Sequence, residues 1–312
     1  IIYLEGLRAG EYGESLQELE GFHVPNTVPT IQVRQEIEYR VIDNIEYLML
    51  TEDDIDPAKE DKAVNGAEED ADGSENTQMQ FASGSAKLGI DVSKWNKEID
   101  WEAVKEEGIE FAIIRCGYRG AASGALVIDP MYEENIRGAI DAGIPVGVYF
   151  FTQALDEVEA VEEASMVISL IEEYDVDYPV FLDSESAGGS GRADGLDAKE
   201  RTAAHKAFLE TISAAGYETG VYASRNWLND RINVTDLSEY KTWLAEYADV
   251  PAYDGYYDMW QYTSKGTVNG IGTNVDLNLC YMNIDTSINH AKGAAGYSGV
   301  VNGDSGNVPT TD

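Results

Sequence analysis

Short apolar runs and amphipathic helical stretches alternate along the chain from Lys87 to about Ile284. Because the apolar runs are rich in β-branched and aromatic residues on both faces, they predict a parallel sheet covered by helices. Eight strands within a segment of about 200 residues predict that the sheet closes into a barrel. The eight predicted strands are Leu88–Val92, Phe111–Cys116, Val146–Phe151, Val180–Asp183, Thr219–Tyr222, Thr242–Ala245, Met259–Tyr262 and Val275–Leu279.

Helices are predicted between the earlier strands. Asp156–Tyr174 and Ala198–Ala215 each place a stripe of apolar residues on one helix face. Gly108, Gly143 and Gly216 stand at helix ends, where a left-handed C-terminal cap favours glycine. The last three strands are separated by about 15 residues or fewer, which leaves little room for helices. We therefore expect an irregular, TIM-like α/β barrel whose final third departs from the eightfold repeat.

Composition divides the chain into four predicted regions. Residues 1–50 form a small N-terminal segment, and residues 87–285 form the barrel. Residues 51–86 are acidic and poor in apolar groups, so they cannot bury enough surface to offset the entropy of ordering; they predict a flexible, disordered linker. Residues 286–312 are rich in Gly, Ser and Asn and predict a flexible tail.

The end of the N-terminal segment, Val33–Leu50, permits two interpretations. Ile37, Val41, Ile45 and Leu48 recur at helical spacing, but part of the same stretch alternates as a strand does. We favour a helix, which would make the segment a stalk or spacer.

The chain is strongly acidic: 58 Asp and Glu residues stand against 21 Lys and Arg residues, giving a net charge of −37. This excess argues against nucleic acid or an anionic membrane as a partner. No apolar run reaches the roughly 18 residues of a transmembrane helix. Because the sequence starts at Ile1 rather than Met, we expect an upstream signal or membrane tether and an extracellular or cell-surface location.

Several kinds of site are disfavoured by what the sequence lacks. Cys116 and Cys280 exclude a disulfide-dense scaffold and a multi-Cys zinc site, and leave open one bridge or two free thiols. The histidines, His23, His205 and His290, are scattered and form no H-E-x-x-H motif. A nucleophile elbow and a phosphate-binding loop are also missing. We therefore expect no metal site, and serine hydrolase and nucleotide-binding functions are disfavoured.

Two carboxylates follow the apolar run Val180–Leu182. Asp183 and Glu185 are two residues apart, so in a strand they share a face, about 6.6 Å apart along the chain. At the C-terminal end of a barrel strand that face opens into the mouth. Two neighbouring carboxylates resist simultaneous ionisation, so one has a raised pKa and can act as a general acid, as glycoside hydrolysis requires. The alternative is that both are solvated loop residues.

Two further acids lie at equivalent places. Asp91 ends the first predicted strand and Asp276 lies in the last. A charge within an apolar run is costly unless it is paired or functional. Because a closed barrel makes its first and last strands neighbours, we expect Asp91 and Asp276 to approach each other. The alternative is that each caps a turn or forms a structural salt bridge.

The order and spacing of several motifs between about Lys87 and Ile284 resemble the lysozymes of glycoside hydrolase family 25. These motifs are Gly89-Ile-Asp91-Val-Ser93-Lys-Trp95-Asn96, Phe111-Ala-Ile-Ile-Arg115-Cys-Gly117-Tyr118-Arg119, Gly147-Val-Tyr149-Phe150-Phe151, Pro179-Val-Phe-Leu-Asp183-Ser-Glu185, Gly220-Val-Tyr222, Trp260-Gln261-Tyr262 and Val275-Asp276.

The resemblance implies a barrel of five β/α units followed by three less regular strands. It also implies cleavage of the β-1,4 bond between N-acetylmuramic acid and N-acetylglucosamine, without a cofactor. Glu185 matches the family's general acid/base, and Asp183 matches its partner, which is either a nucleophile or the group that orients the substrate N-acetyl group. Asp91 and Asp276 match the remaining acids of the family's site.

Aromatic residues near the predicted strand ends are candidates for stacking on sugar rings, although core packing is the alternative for each. Gln261 could bind sugar hydroxyls, and Arg115 is expected to pair with one of the site acids. The aromatic candidates are Tyr149, Phe151, Tyr222, Trp243 and Trp260, with Tyr247 and Tyr262 nearby.

The sequence therefore predicts a muramidase that hydrolyses the glycan strands of peptidoglycan in the bacterial cell wall. One rival is another barrel glycosidase, such as a chitinase. Its usual motif has additional Asp residues before the Glu, and Phe181 stands at one of those positions. The other rival is an inactive wall-binding module, which would tolerate the loss of any of the four acids.

Overall fold

The structure, a computed structural model, describes residues 86–284 together with the short strand Met49–Leu50. Strands are numbered in chain order. They are β1 (Met49–Leu50), β2 (Lys87–Val92), β3 (Phe111–Arg119), β4 (Leu126–Ile128), β5 (Val146–Phe151), β6 (Val180–Asp183), β7 (Thr219–Ser224), β8 (Lys241–Ala245), β9 (Met259–Gly266) and β10 (Val275–Cys280). The α-helices are α1 (Trp101–Glu106), α2 (Tyr132–Asp141), α3 (Glu157–Ile171), α4 (Ala198–Ala214) and α5 (Arg225–Asp230). Two 3₁₀ helices cover Lys94–Asn96 and Val234–Leu237.

Eight of the strands close into a barrel in the order β2, β3, β5, β6, β7, β8, β9, β10. Neighbouring strands are parallel from β2 around to β9, whereas β10 runs antiparallel to both β9 and β2. One α-helix follows each of β2, β5, β6 and β7, another lies after β4 and so between the barrel strands β3 and β5, and no helix lies between the last three strands in the described region. The predicted irregular α/β barrel of five β/α units and three further strands is therefore confirmed.

The hydrophobic core has two main layers. The larger lies between the barrel and its helices, and the smaller fills the barrel interior with side chains that include Phe111, Ile113, Phe181, Trp243 and Met259. Each fully buried side chain of this size contributes roughly 1.5–3 kcal/mol of hydrophobic stabilisation. The lower interior is filled, and an open cavity lies at the C-terminal ends of the parallel strands.

Local signals in the sequence account for several element boundaries. The Asp156 side chain accepts a hydrogen bond from the Glu159 amide and begins α3. Gly108, Gly143 and Gly216 have φ angles of 95°, 70° and 92°, so the predicted left-handed conformation at helix ends is confirmed.

The largest differences from the prediction are two strands that extend further and one additional strand. β3 continues to Arg119 because its buried arginines have acidic partners; the guanidinium of Arg119 contacts Glu162 and Glu163. β9 continues to Gly266 through the half-buried Thr263 and Ser264 and the exposed Lys265, which an apolar pattern does not reveal. The short strand β4, which pairs with the end of β3, was not predicted.

The predicted helix Val33–Leu50 is wrong at its last two residues, because Met49–Leu50 forms a strand that pairs in parallel with β4. The remaining residues of that helix lie outside the described residues. So do the rest of the predicted segment 1–50, all but the end of the predicted linker 51–86, and the predicted tail 286–312. The domain boundaries therefore stay predictions.

Candidate active site

A pocket of about 460 Å³ opens at the mouth of the barrel. It is lined by side chains from the ends of the parallel strands, from the loops that follow them and from the start of β10. Its lining residues are Asp91, Ser93, Trp95, Asn96, Arg115, Tyr149, Asp183, Glu185, Tyr222, Trp243, Tyr247, Gln261, Ser264, Lys265, Asn274 and Asp276.

The four predicted acids all line this pocket. Asp91 on β2 and Asp276 on β10 are direct partners in the antiparallel register, as barrel closure required. Asp183 is the last residue of β6, and Glu185 follows two residues later. Asp91, Asp183 and Glu185 are buried, whereas Asp276 is half-buried.

Glu185 is placed where its carboxyl group is more stable with a proton. Burial raises its pKa well above the usual range, and the negative charges of Asp183, Asp276 and Asp91 raise it further. The positive charge of Arg115 opposes this rise. The Oε2 atom of Glu185 is buried and has no hydrogen-bond partner among the described residues. The group can therefore donate a proton to a bound substrate.

The paired acids Asp276 and Asp91 differ in their surroundings. Burial, followed by the charge of Asp91, raises the pKa of Asp276 to about 9. Burial raises the pKa of Asp91 only to about 6, because hydrogen bonds from the side chains of Asn278 and Gln261 stabilise its ionised form. The pKa of Asp276 is therefore raised further than that of Asp91.

Arg115 lies in the same pocket on β3. Its Nε atom donates to Asp129 Oδ2 at 2.6 Å, and both side chains are almost fully buried. Asp129 was not among the acids selected from the sequence, because it follows the short strand β4, which the sequence did not predict. The charge of Arg115 lowers the pKa of both Glu185 and Tyr149.

The predicted aromatic contacts separate into two groups. Tyr149, Tyr222 and Trp243 line the pocket, as does the predicted amide Gln261. The Trp243 ring forms edge contacts with Tyr149 and Tyr222, with centroids 6.2 Å and 4.6 Å away. The predicted Trp260 does not reach the pocket.

The position of Trp260 follows from strand alternation. Successive side chains of a strand face opposite sides, so Gln261 faces the barrel interior and Trp260 packs against the outer core layer. Its indole Nε1 donates to the carbonyl oxygen of Glu246 at 2.8 Å. Trp260 is therefore corrected from a sugar contact to a core residue.

Phe151 is also corrected to a core residue. It is level with Asp183 in the sheet register, but its ring is fully buried in a separate cluster with Tyr118, Val127 and Ala187. The chain segments that cover it come from β4 and from the loop after Glu185, and neither placement was visible in the sequence.

The sequence analysis did not select several pocket residues, which lie just after β2, near the end of β9 and just before β10. Trp95 follows β2 and its side chain is 62% exposed, although it lines the pocket. Its position directly after the strand that ends in Asp91 was the available signal. The others are Ser93, Asn96, Ser264, Lys265 and Asn274.

Three further features of the described residues concern metal ligands, membrane-spanning helices and disulfide bonds. No group of His, Cys, Asp or Glu side chains within residues 86–284 is arranged to hold a metal ion. No helix in that same range is long and apolar enough to cross a membrane. Cys116 and Cys280 are both buried free thiols, which settles the alternative that the sequence left open.

A family model and several characterised relatives agree on one family of glycoside hydrolases. The family model described as glycosyl hydrolases family 25 matches residues 90–271. The chain is 30% identical over 190 residues to the autolytic lysozyme of Clostridium acetobutylicum, covering 61% of this chain and 54% of that protein. It is 27% identical over 204 residues to lysozyme M1 of Streptomyces globisporus, covering 62% and 67% of the two chains.

Solved structures agree. The modular autolysin LytC from Streptococcus pneumoniae, in complex with a synthetic peptidoglycan ligand, matches with a TM-score of 0.58 and 30% identity, over 65% of this chain and 48% of that one. A bacterial lysozyme from Streptomyces coelicolor shares the fold, with a TM-score of 0.56 and 23% identity over 67% of this chain and 98% of that one. The chain spans about half the length of the clostridial and pneumococcal proteins. With a family match over more than half of its residues, the chain belongs to glycosyl hydrolases family 25.

Proposed function

We propose that this chain is a muramidase, which hydrolyses the β-1,4 bond between N-acetylmuramic acid and N-acetylglucosamine in peptidoglycan. The observation that carries the proposal is the meeting of four acids in one pocket, with Glu185 buried among the other three. Cleavage of a glycosidic bond needs one protonated and one ionised carboxyl group near each other. Family membership and the lysozymes among the relatives support the choice of substrate.

In this proposal Glu185 donates its proton to the oxygen of the bond that breaks. Asp183 then acts at the anomeric carbon, either as the nucleophile or by orienting the N-acetyl group that attacks it. A water molecule completes the hydrolysis, with Glu185 as the base. Asp91 and Asp276 keep the electrostatic environment in which Glu185 holds its proton.

The pocket walls suit a sugar chain. Tyr149, Tyr222 and Trp243 offer aromatic edges and phenol groups, and Gln261 lies between them and Asp91. The exposed Trp95 ring extends the pocket rim and can stack on a further sugar. We assign the glycan strands of peptidoglycan as the partner, and the cell wall, outside the membrane, as the place of action.

Two rivals are less well supported. In a chitinase-like site, position 181 would carry an additional acid, but Phe181 is fully buried in the barrel interior against Trp243. An inactive wall-binding module would have no reason to keep four acids in mutual electrostatic contact, since burying charged groups is costly.

The test is digestion of purified peptidoglycan followed by borohydride reduction and identification of the reduced sugars. New muramic acid ends support the proposal. New glucosamine ends would assign the enzyme to the other glycosidic bond. Release of sugar from chitin oligosaccharides, with intact peptidoglycan left uncut, would favour the chitinase-like rival.

A further inference from the structure

Asp91 lies against a side-chain amide whose orientation is fixed by an indole. The Trp243 Nε1 atom donates to Asn278 Oδ1 at 2.9 Å, inside the barrel. An indole N–H can only donate, so the atom of Asn278 that meets it must be the amide oxygen. The amide nitrogen is thereby turned the other way, where Nδ2 donates to Asp91 Oδ2 at 2.8 Å.

A second amide reaches the same carboxylate oxygen. Gln261 lies opposite Asn278 in the register of β9 and β10. Its Oε1 accepts hydrogen bonds from the Tyr222 and Tyr247 hydroxyls at 2.9 Å and 3.0 Å. With the amide oxygen occupied by two phenols, Nε2 is left to donate to Asp91 Oδ2 at 2.9 Å.

These contacts make Asp91 unlike its partner Asp276. Two N–H groups that donate to one carboxylate oxygen stabilise its negative charge, so these contacts favour the ionised form of Asp91. No side-chain amide in the described part of the chain donates to Asp276, which faces Asp91 across the β2–β10 pair. Two neighbouring carboxyl groups resist double ionisation, so the proton belongs on Asp276.

We propose that Trp243, Asn278 and Gln261 act as positioning residues that hold Asp91 as the ionised member of the acid pair. This inference rests on the proposed hydrolase function, since it describes how the same site is kept in its working protonation state. The fixed charge of Asp91 also helps to keep the proton on Glu185.

Asp91 and Asp276 are also surrounded by other ionisable side chains, whose charges could affect the two acids. Asp276 and Glu185 face Asp91 with like charge when ionised, and the neutral phenols Tyr149, Tyr222 and Tyr247 add little charge. Two cations, Arg115 and Lys265, line the pocket; the charge of Arg115 opposes the rise in the pKa of Glu185, and the charge of Asp183 adds to it. None of these groups distinguishes Asp91 from Asp276 as directly as the two amides do.

The test is Trp243→Phe, which removes the indole donor but keeps a buried aromatic ring. Without that donor, Asn278 can turn its oxygen toward Asp91. Aspartate carboxyl carbons are titrated by NMR in the full chain without substrate, with Asp91 and Asp276 assigned from Asp91→Asn and Asp276→Asn. In the wild type, Asp91 should ionise at lower pH than Asp276. In the variant, the Asp91 midpoint should rise by about one pH unit.

Trp260→Phe is the matched control. Trp260 is equally buried in the same barrel and also donates its indole hydrogen, but to the Glu246 backbone, so the Asp91 midpoint should not move. Gln261→Met is the second variant, because it removes the other amide donor at similar size. It should also raise the midpoint, and it tests the inference even if Trp243→Phe does not fold.

Wild-type midpoints in the reverse order, or an Asp91 midpoint unmoved in the folded variants, would overturn the inference. The NMR titration needs no hydrolysis, so its result is independent of the proposed function. If the chain cuts peptidoglycan, the acidic limb of kcat/KM should also move to higher pH in Trp243→Phe and stay in place in Trp260→Phe. A chain that leaves peptidoglycan intact while the midpoint still moves would overturn the function and leave the inference standing.

Discussion

Burial and the charge of neighbouring acids raise the pKa of both Glu185 and Asp276 in the barrel mouth, which favours the protonated form of each. They differ in the job that we assign to that proton. Glu185 has a buried oxygen without a hydrogen-bond partner among the described residues and transfers its proton to substrate, whereas the proton of Asp276 relieves repulsion with Asp91. Single substitutions can separate these two effects.

Glu185→Gln keeps the size and hydrogen-bonding groups of the side chain but removes the transferable proton. We expect the rate of peptidoglycan clearing to fall at least about 100-fold, as for loss of a general acid, with the fold retained. Turbidity of a cell-wall suspension measures the rate, and circular dichroism checks the fold. Glu133→Gln on α2, where the glutamate side chain is 71% exposed, is the control and should clear at the wild-type rate. Substantial clearing by Glu185→Gln would mean that another group is the acid.

Asp276→Asn should stabilise the protein while reducing its activity. The folded-state pKa of about 9 lies above the ordinary 3.8, so the folded state holds more protons than the unfolded state between these values. Stability from this group is therefore greatest at low pH and is lost as pH rises toward about 9. An amide has no such dependence, and we expect a gain of about 0.5–2 kcal/mol in unfolding free energy at pH 8. Urea unfolding at pH 5 and pH 8 measures it; a larger gain at pH 5 would contradict the argument.

At the scale of elements, β3 and α3 are joined by charge as well as by apolar packing. Arg119 on β3 is fully buried and contacts Glu162 and Glu163 of α3 at 3.0 Å and 2.8 Å. Glu163 also accepts a hydrogen bond from Thr152, just after β5, at 2.7 Å. Burial raises the pKa of Glu163 to about 7, although the charge of Arg119 opposes this rise. The buried carboxylates therefore depend on Arg119 for charge compensation, and Arg119 depends on them.

Arg119→Met should therefore be strongly destabilising, because it leaves two buried carboxylates without their cation. We expect a loss of about 3–5 kcal/mol in the free energy of unfolding, measured by urea denaturation. Arg137→Met is the matched control, since Arg137 pairs with Glu133 on the surface of α2 with both side chains more than half exposed. That loss should stay below about 1 kcal/mol. Equal losses in the two variants would show that the buried cluster does not hold α3.

The sequence allowed the strands and the four acids to be predicted for the same reason: apolar runs define the barrel, and barrel closure brings their polar ends together. Asp91 and Asp276 are far apart in sequence but partners in register. The same reasoning failed for Trp260 and Phe151. An apolar run does not reveal which face of its strand points into the barrel, or which loops cover that strand. Nor could it find Asn278, whose role depends on the orientation of its amide.

At the scale of the whole molecule, two thiols lie on different sides of the first barrel strand. Cys116 is in β3 and Cys280 is in β10, and both are almost completely buried. Burial raises the pKa of both thiols, that of Cys280 to about 11. Because only the thiolate reacts, neither group is available to reagents while the barrel is closed.

Thiol labelling should accordingly report opening of the barrel as a whole. A disulfide reagent at pH 8 should label neither cysteine of the native protein within minutes, and should label two per chain in guanidinium chloride. At intermediate denaturant, both should react at the same rate, and that rate should follow unfolding measured by Trp fluorescence. Rapid labelling of Cys280 alone under native conditions would show that β10 opens separately from the rest of the barrel.

The reversed direction of β10 has a topological consequence. Cys280 at the end of this strand is paired with Lys87 at the start of β2, so the polypeptide enters and leaves the barrel at one pole. That pole is the one remote from Asp91 and Asp183, which lie at the opposite ends of their strands. The antiparallel β10 thus itself returns the chain to this pole, so no return helix is needed after it. Chain joined directly after β10 therefore starts on the side of the barrel away from the pocket that we propose binds the glycan.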